Sequence, residues 1–445
     1  MRRDRQRLPV SGLRQSWLTM AAAVLYRSRF LLPIGAPPLE GGALLAAGGR
    51  ILAVGSHAEL AAAHPRAAVV DFGEAVLLPP LVNAHTHLEL TGYPAWATAA
   101  AAETTGGDFV DWILQLVQVR RSVATAAVRA ALASGLQECL AAGTGAVGDI
   151  LTTLAAADAY AATPLRGRVF CEVLGVDAEP VAARLAEIGA LLGAPPGRWL
   201  AWGVSPHAPY TLNRATLDQV RTFADRHRLP LASHWAETTA EVDFLTRLGG
   251  PLAERLYPAA GWRLPAQPPG LASSLQPCAG GGLLIHGVHG SAADIDAMAA
   301  SGLGLVLCPR SNSRFGATRA PLAACRRAGV PLALGTDSLA SSPSLSLWDE
   351  LAFARSWFDG ALDPQSWLEI ATWGGATALG LAERFGRLRP GHEASFQVVA
   401  IPSGATAASL AEALCAAGAD IVVQALLLGG ENVLPSAPRP PIMKN

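Results

Sequence analysis

A chain of 445 residues that is 51% hydrophobic and 16% charged can bury one large α/β domain with an attachment, or two or three ordinary domains. Its formal net charge of −1 leaves no basic footprint for nucleic acid and no polybasic patch for a membrane surface, and no uninterrupted apolar run reaches the roughly 18 residues of a membrane span. The six cysteines are scattered without a CxxC, which suits a reducing cytoplasm, and Lys444 is the only lysine, which excludes Schiff-base chemistry, a P-loop lysine and a lysine bridging two metals.

In chain order, residues 1–20 are arginine-rich without an apolar h-region, so they read as a disordered extension and not as an export signal. Residues 21–79 hold strand-like pieces separated by glycine turns, as in ALLAAGGRILAVGS. From 80 to 385 short apolar runs end in polar residues and alternate with segments long enough for helices. The runs are 81–87, 145–150, 168–175, 200–207, 230–235, 282–287, 303–310 and 331–337, and the helical candidates include 109–142, 177–193, 212–228, 240–248, 291–301 and 319–329. Eight such strands predict a (β/α)8 TIM-type barrel. An open doubly wound sheet is the alternative, weakened because no GxGxxG follows the first strand. The proline- and glycine-rich stretch 258–282 reads as a loop insertion before the sixth strand. Residues 386–445 return to strand-like pieces, and the two flanks are expected to meet as a small β-sandwich beside the barrel.

Chemistry collects at the strand ends. In LVNAHTHLEL, His85 and His87 are two residues apart, so on a strand they project to one face while Ala84 and Thr86 take the other. His207 ends the fourth run, His234 the fifth, His286 the sixth and Asp337 the eighth. The C-terminal strand ends of a barrel converge on one pocket. Five of the ten histidines therefore meet with an aspartate, and as packing residues each would need its own buried partner.

The ordered set HTH, SPHAPY, HWAE, IHG, CPRSN and GTDS resembles the amidohydrolase superfamily, in the branch of cytosine, guanine, S-adenosylhomocysteine and aminodeoxyfutalosine deaminases and triazine chlorohydrolases. The likeness covers nearly the whole chain. It implies His85, His87, His234 and Asp337 as metal ligands, proton transfer by Glu237 and His286, and a substrate contact for His207. One departure is Ser395 in GHEASFQVV, where the family usually has an aspartate. With no lysine at the fourth strand end, one divalent metal per chain is expected; three histidines and an aspartate suit Zn2+ and also Fe2+. The ligands leave a position for water, whose proton Asp337 would accept while His286 helps orient the nucleophile and Glu237 protonates a ring nitrogen.

The implied reaction is deamination of an aromatic ring on a small-molecule substrate. The local wording (HTHLEL, FVDWILQLV, SPHAPYTL, CPRSN, GTDSLASSPSLSLWDEL) looks most like aminodeoxyfutalosine deaminases of menaquinone biosynthesis. Glu89, read as continuing the pleat past His87, is a candidate for the ribose hydroxyls, with a solvated loop carboxylate as the plain alternative. Arg310 is a candidate for the substrate carboxylate, with a loop-holding salt bridge as its alternative. A cytidine-deaminase type of zinc site is excluded, because Pro277-Cys278 has no second cysteine to complete PCxxC. HExxH is absent. A chlorohydrolase would use the same site, and a metal-free scaffold barrel should have lost ligands that are all present here. A homodimer stays open beside a monomer.

Overall fold

The computed structural model describes residues 22–102, 107–274, 280–316, 318–434 and 442–443. The extension expected over 1–20, together with Cys278 and Lys444, lies outside the described residues. The central sheet has eight parallel strands: β1 Leu81–Thr86, β2 Thr144–Leu151, β3 Arg166–Val173, β4 Leu200–Pro206, β5 Leu231–Trp235, β6 Gly282–His286, β7 Gly304–Leu307 and β8 Leu332–Leu334. They are hydrogen-bonded in sequence order, and a parallel bridge between Thr86 and Asp337 joins the last strand end to the first. The fold is therefore the TIM-type barrel, and the open sheet is ruled out.

Burial explains why these runs are strands. Every residue of β1 and β2 is buried, and so is every residue of β3 except Arg168. Strands covered on both faces read as near-continuous apolar runs. Gly148 on β2 lets that strand lie against the HTH strand, since a Cβ there would come within 2.4 Å of the Ala84 carbonyl oxygen.

Two expectations need adjusting. The helix expected over 109–142 is a pair, Phe109–Arg121 and Thr125–Ala141, separated where Ala124 turns extended (φ −66°, ψ 147°). Asp108 caps the first helix in a reciprocal box with Asp111. The break has a purpose in the fold. The second helix packs Val128, Leu132, Leu136 and Cys139 into the barrel core, while the first lies over the mouth of the barrel. The eighth strand stops at Leu334, short of the expected 337, and Asp337 follows in a left-handed conformation (φ 59°).

The flanks form two facing sheets. One contains Val24–Arg27, Gly42–Ala47, Arg50–Ser56, Ala68–Asp71 and Ile442–Met443; the other contains Phe30–Leu31, Leu39–Glu40, Ala75–Leu78, Phe396–Ala400, Val423–Leu428 and Glu431–Asn432. Tyr26, Leu44 and Ile51 of the first sheet share a core with Leu77, Phe396 and Leu427 of the second. Both chain ends thus supply one sandwich. Ser395, the departure from the family pattern, is buried there; its hydroxyl donates to Glu393 Oε1 at 2.6 Å and accepts from the Gly429 amide at 2.9 Å.

Candidate active site

The strand ends bring the predicted residues together. His85 is fully buried on β1, and His87 follows one residue past the strand with its ring perpendicular to that of His85, 4.9 Å between centroids. His87 Nε2 faces His234 Nε2 at 3.2 Å, and Asp337 Oδ1 lies 3.4 Å from His85 Nε2 and 3.7 Å from His87 Nε2. The His286 ring stacks 5.6 Å from that of His234. Gly335 permits this closeness, because a Cβ there would stand 2.8 Å from His85 Cβ.

The surroundings aim these groups. His234 Nδ1 donates to the His207 carbonyl at 2.8 Å, which turns the Nε2 lone pair inward. Asp337 Oδ2 accepts from Ser311 and Ser341, each at 2.7 Å, leaving Oδ1 for the imidazoles. Both ring nitrogens of His85 are buried without a hydrogen-bond partner among the described residues. A buried imidazole with no partner, two Nε2 atoms face to face and one free carboxylate oxygen fit a divalent cation at the common point.

Burial, with the neighbouring His85, lowers the pKa of His87 to about 4; burial does the same to His286, also to about 4. Burial by itself would raise Asp337, yet the nearby His85 imidazole, followed by His87 and His286, holds it well below the usual carboxylate range. Glu237 goes the opposite way. Burial, reinforced by Asp337 and Glu241, pushes its carboxyl well above the ordinary value. The two carboxyls are thus pushed in opposite directions within one cavity.

Glu237 is presented by a strained turn. Ala236 has φ 51°, and the Ala236 and Glu237 amides donate to the two oxygens of Glu241 at 3.0 and 2.8 Å. His286, itself at φ 74°, donates from Nδ1 to Asn312 Oδ1 at 2.7 Å and brings Nε2 to 3.5 Å from Glu237 Oε1. Ala236, His286 and Asp337 are three of the eight non-glycine residues with positive φ among the described residues.

A cavity of about 720 Å³ opens above these groups, lined by His87, His207, His234, Glu237, His286 and Asp337 at its floor. The helix Phe109–Arg121 forms an apolar wall with Phe109, Trp112, Ile113 and Leu116. His207 sits as expected, with Nδ1 3.0 Å from Thr211 Oγ1. Glu89 also lines the cavity, but not by continuing the pleat: the chain turns into a 3-10 helix over Leu88–Leu90, and Glu89 Oε2 accepts from the Thr153 amide at 2.9 Å. It is buried, so it is no solvated loop carboxylate.

Arg310 takes the loop-holding salt bridge, the second of its two expected roles, and not that of a substrate carboxylate partner. Its guanidinium points away from the cavity, pairing with the fully buried Glu350 at 2.6 Å and donating to Ser344 Oγ and to the Ser344 and Ser346 carbonyls. It holds the loop before helix Leu347–Trp357. The cavity's own cations are Arg120 and Arg121, at the end of the wall helix. Arg120 donates to Thr153 Oγ1, and its Nε is buried without a partner among the described residues.

Sequence reasoning missed Glu172, Glu241, Asn312 and Asp149. Asp149 accepts from Thr86 Oγ1 and the Leu88 amide, both at 2.8 Å, and so braces the HTH turn from β2. A lone acid inside an apolar strand, as in GAVGDI and RVFCEVLG, was the available signal.

Residues 76–433 match the model of the amidohydrolase family, and 42–67 match an imidazolonepropionase-like composite domain of bacteria. The chain is 32% identical over 341 residues to an aminodeoxyfutalosine deaminase of Deinococcus radiodurans, covering 72% of this chain and 77% of that one. It is 31% identical over 344 residues to a 5-methylthioadenosine/S-adenosylhomocysteine deaminase of Halobacterium salinarum, covering 74% of each. The solved adenosine deaminase of Xanthomonas campestris with bound zinc is similar at a TM-score of 0.72 and 25% identity, over 93% of both chains. Histidine-rich strand ends meeting an aspartate and these likenesses converge: the chain belongs to the amidohydrolase family and is a hydrolase of carbon–nitrogen bonds.

Proposed function

We propose that the protein is a metal-dependent deaminase that replaces the ring amino group of an adenine nucleoside with oxygen, with aminodeoxyfutalosine as its preferred substrate. The observation that carries the reading is the cavity floor, where the imidazoles of His85, His87, His234 and His286 meet Asp337 and Glu237 stands 3.5 Å from His286. His85, His87, His234 and Asp337 would hold one divalent cation, and we take it to be zinc, with iron(II) as the second choice. Such a cation lowers the pKa of a bound water toward neutrality and so supplies the nucleophile.

The side chains carry the rest. Glu237 donates its proton to a ring nitrogen, which makes the adjacent carbon electrophilic. Asp337 takes the proton of the attacking water and later passes it to the departing amine, so that ammonia leaves, while Glu237 regains its proton from the new hydroxyl as the ring carbonyl forms. His286, fixed by Asn312, orients the nucleophile on the side facing Glu237. The apolar wall of helix Phe109–Arg121 excludes water around the ring.

The substrate assignment draws on the 32% identity to the Deinococcus radiodurans enzyme and on a cavity of about 720 Å³. Arg120 replaces Arg310 as the cation for a terminal carboxylate. The protein would then act in the cytoplasm, in menaquinone biosynthesis. Ammonia release measured as kcat/KM on aminodeoxyfutalosine, adenosine, S-adenosylhomocysteine and guanine tests the reading. Preference for any of the last three overturns the substrate while leaving the deaminase, and release of chloride from a triazine without ammonia from any amine overturns the reaction.

A further inference from the structure

The cavity holds two carboxylates that the deamination scheme leaves unused, Glu89 and Glu172. Glu172, near the end of β3, is 5% exposed. Its Oε2 accepts from Thr152 Oγ1 at 2.6 Å, and its backbone carbonyl accepts from Arg184 Nε at 2.9 Å. The side chain is therefore anchored. Its Oε1, however, is buried with no hydrogen-bond partner among the described residues. An unpaired buried carboxylate oxygen is costly, so its persistence in the cavity wall points to a donor arriving with a ligand.

The neighbours say which donor. Thr152 grips Glu172, and the next residue, Thr153, donates its amide to Glu89 Oε2. Two consecutive threonines thus hold two cavity carboxylates, each by one oxygen. A second divalent cation is a poorer occupant, although Glu172, His207 and His234 bring ligating atoms within 4.8 Å of one another. His234 Nε2 already faces His87, and His207 Nδ1 faces Thr211, which leaves too few free donors for a closed site. A pair of acceptors on adjacent wall positions matches a ligand with two hydroxyl donors on neighbouring carbons.

We propose that Glu172 is a specificity residue whose Oε1 accepts a hydrogen bond from one ribose hydroxyl of the nucleoside, while Glu89 accepts from the other. The proposal rests on the nucleoside-deaminase reading above. It makes the enzyme selective for ribonucleosides through a residue that takes no part in proton transfer.

The test measures kcat/KM on adenosine, 2′-deoxyadenosine and 3′-deoxyadenosine for wild type, Glu172→Gln and Glu172→Ala, with metal content of each. Wild type should favour adenosine over one of the two deoxynucleosides by at least roughly 10-fold. Glu172→Ala should lose about 10- to 100-fold on adenosine and under about 3-fold on that deoxynucleoside, with Glu172→Gln between. Metal content should stay that of wild type. Equal losses on all three nucleosides, or loss of a metal equivalent, overturn the proposal while the deaminase stands. Wild type that turns over none of the three, nor aminodeoxyfutalosine, brings down the nucleoside reading and this proposal with it.

Discussion

Asn83 and Thr336 hold each other twice: the Asn83 Nδ2 donates to Thr336 Oγ1 at 2.8 Å, and the Thr336 amide donates back to Asn83 Oδ1 at 3.0 Å. Both residues are fully buried, and the Asp337 amide donates to the His85 carbonyl at 3.1 Å directly above them. Side chains therefore complete the join between β8 and β1, where strand pairing has run out, and the joint sets Asp337 against His85. Asn83→Ala should keep the barrel but loosen that pairing. Metal affinity, read by competition with a chelating dye, should fall about 10- to 100-fold. Unchanged affinity would show that the closure does not aim the ligands.

Glu237→Gln keeps the shape of the side chain and removes its acid. Metal content should be unaffected while kcat falls about 100-fold or more. His234→Ala should lose metal and activity together. Near wild-type turnover in Glu237→Gln would remove it from the proton path.

Arg310→Met leaves Glu350 buried and unpaired, since burial already pushes the Glu350 carboxyl up and the guanidinium is its main counterweight. Breaking such a pair costs about 3–5 kcal/mol, measurable by denaturant unfolding. Substrate preference among correctly folded molecules should not move. Arg120→Ala should show the reverse, with stability near wild type and a selective loss on the carboxylate-bearing nucleoside relative to adenosine.

Protein purified without chelator should carry one divalent metal per chain by elemental analysis. Chelation should abolish hydrolysis and lower the melting temperature, because a ligand at 1,000 times its Kd stabilises by about 4 kcal/mol. Zinc should restore both. Two tightly held metals, or full activity with none, would contradict the four-ligand site.

The sequence by itself was enough for the barrel and for the meeting of its histidine-rich strand ends. Apolar runs at helical separations give a parallel sheet, and an i, i+2 histidine pair on a strand shares a face by the strand's own period. His85, His87, His207, His234, Glu237, His286 and Asp337 were legible because backbone geometry alone brings strand ends together. Residues whose side-chain direction depends on what they meet escaped. Glu89 was read on the pleat, but the chain coils at Leu88, braced by Asp149 from the next strand. Arg310 was read as facing the substrate, yet a buried guanidinium goes to the nearest buried carboxylate, and only the packing of helix Leu347–Trp357 puts Glu350 there. Glu172 and Arg120 carry no spacing signature at all. Their neighbours Thr152 and Thr153 turn them toward the cavity, and those contacts exist only once β2, β3 and the wall helix are packed.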